Sequence, residues 1–185
     1  MTVRPLRAGR VLFTGPSNVG KTRLTARALE EWVEQRGEAG VAIFDFAPEL
    51  ERNGVLLGGR LSRFTELPDG AWSAVSDAHA PRAESESEAE ARELAFENAT
   101  KAMTMIEEMP PSKAVFVNDA TIPFQHEAGD IEALLAACER AKFVVMNAFW
   151  SDELGSENPI SRRERAARER LIEWADTHER LETDE

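Results

Sequence analysis

One short segment limits what this chain can fold into more than any other feature of its sequence. This segment is residues 15–22. The residues before it, 10–14, are typical of a short buried strand, and after it Leu24, Leu29 and Trp32 recur at helical spacing as far as Gly37. The order is therefore a buried strand, a glycine turn and a helix. Such a turn directs backbone N–H groups inward, and the helix N-terminus favours anions. The segment predicts a phosphate site built from Gly15, Pro16, Ser17, Asn18, Val19, Gly20, Lys21 and Thr22.

This segment matches the pattern GxxxxGK[ST] in full and thereby resembles the Walker A motif of the P-loop NTPase superfamily. The resemblance implies that residues 15–22 bind the phosphates of a nucleotide, with ATP expected. Lys21 would reach the β- and γ-phosphates, and the hydroxyl of Thr22 would bind Mg²⁺. A glycine turn followed by a surface lysine is the structural alternative.

A second apolar strand, residues 114–117, leads into Asn118 and Asp119. It resembles the Walker B strand of the same superfamily. The resemblance implies that Asp119 holds Mg²⁺ through water and takes part in catalysis with Lys21. An aspartate that is merely solvated at the end of a strand is the alternative.

Two further polar residues follow apolar strands. Asp45 ends the run 41–46, and Asn147 follows the run 143–146. Ligands of open parallel sheets bind at the carboxyl ends of the strands, so both residues are site candidates. Asp45 is expected either to orient Mg²⁺, water or a substrate hydroxyl, or to cap the turn before Pro48. Asn147 resembles the sensor residue with which some P-loop NTPases contact the γ-phosphate.

The loop 121–129 follows the Asp119 strand and supplies further catalytic candidates. Gln125, His126 and Glu127 can all position or deprotonate water, and Glu127 is the predicted catalytic residue among them. Spacing alone singles out none of the three. An arginine-rich run at 162–170 could offer a cation to phosphate, but its spacing also fits i,i+4 ion pairs on a solvated helix.

The remaining pattern alternates helices with apolar strands. Helices are expected after the acidic run 84–93, at 130–141, and from Ser161, an N-cap with Glu164 at the capping-box position. Residues 177–181 suggest a fringe strand, and 49–81 suggest irregular loops with one short strand. The fold class predicted is α/β: a three-layer sandwich with a mainly parallel sheet, as in the P-loop NTPase fold, in a single domain spanning 1–185.

The kind of P-loop protein is less constrained by these patterns. Residues 18–22 resemble the first motif of small G proteins, but neither the DxxG nor the NKxD pattern follows. The order of elements after residue 114 is similar to the ATP:corrinoid adenosyltransferases and RecA-like ATPases, without the motifs that would imply corrinoid chemistry. A Mg-dependent NTPase or transferase with an unknown acceptor is expected. A regulatory module that only binds nucleotide, or a GTPase switch, is the alternative.

Charge and composition restrict the partners. The net charge of −12 disfavours nucleic acid and anionic membranes, since both attract clustered positive charge. No apolar run approaches the roughly 18 to 20 residues that span a bilayer, so a cytoplasmic protein is expected. Cys138 is the single cysteine and falls on an apolar helix face, which excludes an internal disulfide and a cysteine-built metal site.

Overall fold

The computed structural model describes residues 8–183, and the elements below are those within that range. The strands are β1 (Gly9–Gly15), β2 (Val41–Asp45), β3 (Glu49–Arg52), β4 (Val55–Gly58), β5 (Trp72–Val75), β6 (Ala114–Asn118), β7 (Phe143–Phe149) and β8 (Thr177–Arg180). The helices are α1 (Lys21–Arg36), α2 (Pro81–Glu84), α3 (Glu88–Glu108), α4 (Ile131–Cys138) and α5 (Pro159–Trp174). Two short 3₁₀ turns lie at Leu61–Arg63 and Ile122–Phe124.

Six strands form one parallel sheet in the order β5-β2-β6-β7-β1-β8. β3 and β4 form a separate antiparallel hairpin. Parallel neighbours need crossover connections, and the helices supply them on both faces of the sheet. The predicted α/β three-layer architecture with a mainly parallel sheet is therefore confirmed.

Alternate residues of the buried strands face two different cores. Val11 and Phe13 pack toward α1, where Trp32 stacks on Phe143 with ring centroids 5.4 Å apart. Leu12 faces the opposite layer, made by α3, α4 and α5. Because both faces are covered, the central strands are apolar throughout, as expected of an interior parallel sheet. Cys138 lies in this second core as predicted, and burial raises the pKa of its thiol to about 12.

Three details differ from the sequence expectation. Residues 49–58 were expected to be irregular but form the β3–β4 hairpin, whose turn places Asn53 and Gly54 at positive φ. Helix α5 begins at Pro159, and its N-cap is Asn158, which accepts from Ser161 N at 2.8 Å. Proline favours the first helical position and asparagine favours the N-cap, so the helix starts two residues before Ser161.

The third difference concerns β7. This strand continues through Asn147 to Phe149, so Asn147 is an interior strand residue and not a strand end. Its partner β1 ends at Gly15, opposite Phe149, and the two strands thus finish together at the glycine segment. Over the described residues, no helix combines the length and apolar character needed to cross a membrane.

Candidate functional site

The glycine segment connects β1 to α1 at the carboxyl edge of the sheet. Gly15 has φ of +153°, and a Cβ placed on it would lie 2.5 Å from the carbonyl oxygen of Leu181. Gly20 caps α1 with φ of +102°, in the left-handed region that glycine adopts at little cost. Asn18 also has positive φ, and its Nδ2 donates to the carbonyl of Leu56 in the β3–β4 hairpin at 3.2 Å. The path of the loop therefore depends on its glycines and on the hairpin beside it.

Lys21 begins α1 and is 7% exposed. Its Nζ donates to the carbonyl of Pro16, across the turn of the loop. Burial lowers the pKa of Lys21, while the negative charges of Asp119, Glu153 and Glu164 act in the opposite direction. A buried ammonium held by a carbonyl oxygen is incompletely compensated, so the position suits an anionic ligand.

Thr22 connects the loop to the end of β6. Its Oγ1 donates to Asn118 Oδ1 at 3.2 Å, so Asn118, and not Asp119, contacts the threonine predicted to bind Mg²⁺. The hydroxyl oxygen of Thr22 keeps its lone pairs for a cation in this arrangement. Sequence reasoning treated Asn118 only as the residue before Asp119 and missed this contact.

Asn118 belongs to a buried polar network beneath the loop. Its Nδ2 donates to Asp45 Oδ1 at 2.8 Å and to the carbonyl of Gly59 at 2.9 Å. Asp45 also accepts from Leu61 N at 2.7 Å and from Ala47 N at 3.3 Å. Burial raises the pKa of Asp45, and these hydrogen bonds oppose the rise. The structure thus engages both carboxylate oxygens of Asp45 with protein donors, which is the arrangement of a residue that positions its neighbours.

Asn147 lies in the same network. Its Nδ2 donates to Thr25 Oγ1 at 2.8 Å and to Asn118 Oδ1 at 2.9 Å, and its Oδ1 accepts from Asp119 N at 3.0 Å. The side chain is completely buried. Every polar group of the amide other than the second Oδ1 lone pair is used within the protein. Asn147 therefore reaches the predicted phosphate site through Asn118 and Asp119 and does not itself line the cleft described next.

A cleft of about 450 Å³ opens above these residues, and we call it the loop cleft. It is lined by residues 17–23, by the hairpin residues Leu56, Leu57 and Gly58, and by Phe64, Phe149 and Leu154. Asp119 also lines it, with its backbone in the left-handed region at φ of +53°. The cleft brings together residues of the loop, Lys21, Thr22 and Asp119.

Asp119 is only partly hydrated in the loop cleft. Burial raises its pKa to about 6, and the nearby charge of Lys21 opposes this rise, whereas Asp45 and Glu164 add to it. A carboxylate with a raised pKa is one whose ionised form lacks sufficient compensation from its surroundings. A cation bound in the loop cleft would supply that compensation.

A second polar group in the loop cleft was not predicted. Glu164 on α5 is buried and accepts from Arg82 at 2.6 Å, from Gln125 Nε2 at 2.7 Å and from Thr121 Oγ1 at 3.3 Å. From the sequence pattern, Glu164 is predicted to lie in a capping box on a solvated helix. The signal that could have found it is its helical spacing from Ile160, Ala167, Arg168 and Leu171, the buried face of α5.

The structure does not bring Glu127 to the loop cleft. Glu127 is about half exposed and pairs with Arg92 and with Arg163, the latter at 3.5 Å. Its hydrogen bond from Arg92 lowers its pKa to about 2, which makes it a weak base. The ring of the adjacent His126 is buried against Phe96, and its Nδ1 accepts from Ala128 N. Of the three loop candidates, only Gln125 lines the loop cleft.

Within residues 8–183, no group of three or more His, Cys, Asp or Glu side chains is arranged to hold a metal ion by itself. A Mg²⁺ bound with a nucleotide needs fewer protein ligands, because phosphate oxygens and water complete its coordination. No protein-family model and no curated protein matches the chain. The function is therefore inferred from the geometry of the site.

Proposed function

We propose that the chain binds a Mg-nucleoside triphosphate, with ATP the first candidate, in the loop cleft, and that it hydrolyses the nucleotide or transfers a group from it. The observation that carries this proposal is the position of Lys21: it is buried at the start of α1, lines the loop cleft, and lies close enough to Asp119 for their charges to interact. On this proposal the chain is a member of the P-loop NTPase superfamily.

The residues present fit such a ligand. The backbone N–H groups of residues 17–20 and the ammonium of Lys21 would hold the phosphates, because both provide positive potential at the N-terminus of α1. Thr22 and Asp119 would hold Mg²⁺, whose charge offsets that of the phosphates. Burial disfavours the charge of both Lys21 and Asp119, so each gains from a ligand of opposite charge. Asp45 and Asn147 would position Asn118 and Asp119.

A regulatory module that binds nucleotide with little turnover is the second candidate. This second candidate is favoured by the hydrogen bonds and positions of the carboxylates in and near the loop cleft. Glu127 lies outside the cleft, and both oxygens of Glu164 accept hydrogen bonds from protein groups. Asp119 is then the carboxylate left to act on water or an acceptor, and it is also the proposed Mg²⁺ ligand. Phosphate release measured over many turnovers separates the two candidates.

ATP is proposed over GTP because of the residues at the end of β7. Phe149 lines the loop cleft, whereas Asp152 is not among the residues lining it. An aromatic face packs against any purine, while guanine recognition requires an acceptor for the hydrogen-bond donors on its edge. ATP is expected to displace a fluorescent nucleotide at least as well as GTP.

Isothermal titration of the full chain with Mg-ATP tests the proposal. Lys21→Ala is expected to lower the affinity sharply while the circular dichroism spectrum stays native. Lys101→Ala is the matched control, since Lys101 is exposed on α3 and lies outside the cleft. If folded Lys21→Ala bound Mg-ATP as tightly as wild type, or if Lys101→Ala lost as much affinity as Lys21→Ala, the glycine loop would not be the phosphate site.

A further inference from the structure

Arg82 is a cation of the loop cleft to which the proposed nucleotide site assigns no role. It is the second residue of α2, and residues 80–83 all line the cleft. Among the described residues, the other lysine or arginine side chains that line it are Lys21 and the exposed Arg23. The side chain of Arg82, by contrast, is only 10% exposed. Its charge therefore lies in the lining of the cleft, where salt screens it little.

The chain that carries Arg82 is fixed to α3 by hydrogen bonds. Asn98 Oδ1 accepts from His79 N at 2.8 Å, and Asn98 Nδ2 donates to the carbonyl of His79 at 2.9 Å. Asn98 is 1% exposed, so water competes little for these bonds. Pro81 then begins α2, a position that the fixed φ of proline favours. The backbone thus places Arg82 at the cleft before any ligand arrives, which lowers the entropy cost of a contact with one.

Arg82 uses only part of its hydrogen-bonding capacity within the described residues. Nη1 donates to Ser161 Oγ at 2.9 Å, and Nη2 donates to Glu164 Oε1 at 2.6 Å. A guanidinium carries five N–H groups, so three remain, including that of Nε. Arg82 Nε has no partner, yet it is not among the buried nitrogen atoms that lack one, so solvent reaches it. These donors are therefore open to a ligand that supplies oxygen acceptors.

The charge of Glu164 indicates where in the loop cleft these donors lie. Glu164 also lines the cleft, and its charge acts on the pKa of Lys21 and on that of Asp119. Because Arg82 is bonded directly to Glu164, it lies in the part of the cleft that contains the proposed phosphate and Mg²⁺ ligands. The guanidinium carbon of Arg82 also lies 5.7 Å from the centre of the Phe149 ring. A ligand that reaches Lys21 therefore comes close to Arg82.

We propose that Arg82 is a phosphate-binding residue: it keeps Ser161 and Glu164 as partners and donates from its remaining N–H groups to phosphate oxygens of the bound nucleotide. This inference rests on the proposed function and adds to it a cation from outside the glycine loop. A guanidinium suits the role, because its planar fork binds a carboxylate and a phosphate at the same time. Glu164 is then the residue that positions Arg82.

Isothermal titration with Mg-ATP and with Mg-tripolyphosphate, which has no base, tests this role. Arg82→Lys keeps the charge but loses the fork, and it is expected to weaken both ligands about tenfold. Arg27→Lys is the control, since Arg27 is exposed on α1 and lies outside the cleft; it is expected to change neither affinity. Unchanged Mg-ATP affinity in folded Arg82→Lys would overturn the inference. A loss confined to Mg-ATP would also overturn it, because Arg82 would then act on the base through Phe149.

Nuclear magnetic resonance of the wild type gives a second measurement that does not depend on the folding of Arg82→Lys. The Nε–H resonance of Arg82 is expected to shift when Mg-ATP saturates the chain, and that of Arg27 is expected to stay in place. An Arg82 resonance that does not move at saturation would overturn the inference. Failure of the wild type to bind Mg-ATP would remove the proposed function as well. Binding that is lost in Lys21→Ala and kept in Arg82→Lys would remove this inference alone.

Discussion

Asp119→Asn is expected to make the folded protein more stable at neutral pH and less able to use magnesium. The wild-type carboxylate is enclosed beside the glycine loop, where burial raises its pKa from 3.8 to about 6. Asparagine has nearly the same shape and carries no charge. The substitution therefore removes the poorly hydrated charge and leaves the backbone geometry at positive φ, which asparagine tolerates well.

The size of the effect follows from the pKa shift. A rise from 3.8 to about 6 corresponds to about 3 kcal/mol of destabilisation once the folded carboxylate is ionised, at about 1.4 kcal/mol per pH unit. Two effects reduce the stability that Asp119→Asn gains: the carboxylate is partly exposed, and the substitution removes its favourable charge interaction with Lys21. A net stabilisation of about 1 to 2 kcal/mol is therefore expected. Because the folded pKa is the higher one, the wild-type penalty is absent below pH 3.8, develops between pH 3.8 and about 6, and is fully present above that range.

Urea unfolding at a series of pH values measures this directly. The difference in unfolding free energy between Asp119→Asn and wild type should grow between pH 4 and pH 6 and then level off. Asp69→Asn is the control, since Asp69 is exposed. A variant that is less stable than wild type at pH 7.5, or a difference that does not change with pH, would refute the reasoning. Mg-dependent turnover, if the wild type shows any, should fall in the same variant.

Three other substitutions test the assignment of neighbouring residues. Glu164→Gln removes the partner of Arg82, whose side chain is 10% exposed, and should cost about 3 kcal/mol in urea unfolding; Glu157→Gln on the surface should not. Gly15→Ala places a Cβ against the carbonyl of Leu181 and should cost about 2 kcal/mol or more and weaken Mg-ATP binding in titration. Glu127→Gln should leave phosphate release unchanged, and a large loss there would return Glu127 to the catalytic candidates.

The parts of the fold that could be predicted from sequence are those governed by local pattern. The strands contain the continuous apolar runs 11–13, 41–44 and 114–117, as expected of strands that are buried on both faces of a parallel sheet. The hairpin at 49–58 carried a usable signal too, since Asn53-Gly54 is the dipeptide preferred in two-residue hairpin turns. The other glycine and proline residues in 49–81 favour irregular loops, so the whole segment was predicted to be irregular.

The site was predictable where one motif fixes the geometry, and less so where the contacts are long-range. The motif at 15–22 is recognisable from its own residues, and Asp119 is placed by the end of an apolar strand. Nothing local indicates that Asn118 contacts Thr22, 96 residues earlier, or that Arg82 meets Glu164, 82 residues later. Glu127 shows the converse error: its residue type suits catalysis, but the loop after Asp119 turns it toward Arg92 on α3.

The charges around Lys21 explain why the proposed ligand should be a nucleotide together with its metal. Asp119, Glu153 and Glu164 all lie close enough to act on the pKa of Lys21, so a single buried ammonium faces three carboxylates. A triphosphate without metal would add further negative charge to this region and meet repulsion that Lys21 alone cannot offset. A divalent cation held by Asp119 and Thr22 together with the phosphates would offset part of that repulsion. On the proposed function, the raised pKa of Asp119 is therefore a cost that the folded protein carries until magnesium arrives with the phosphates.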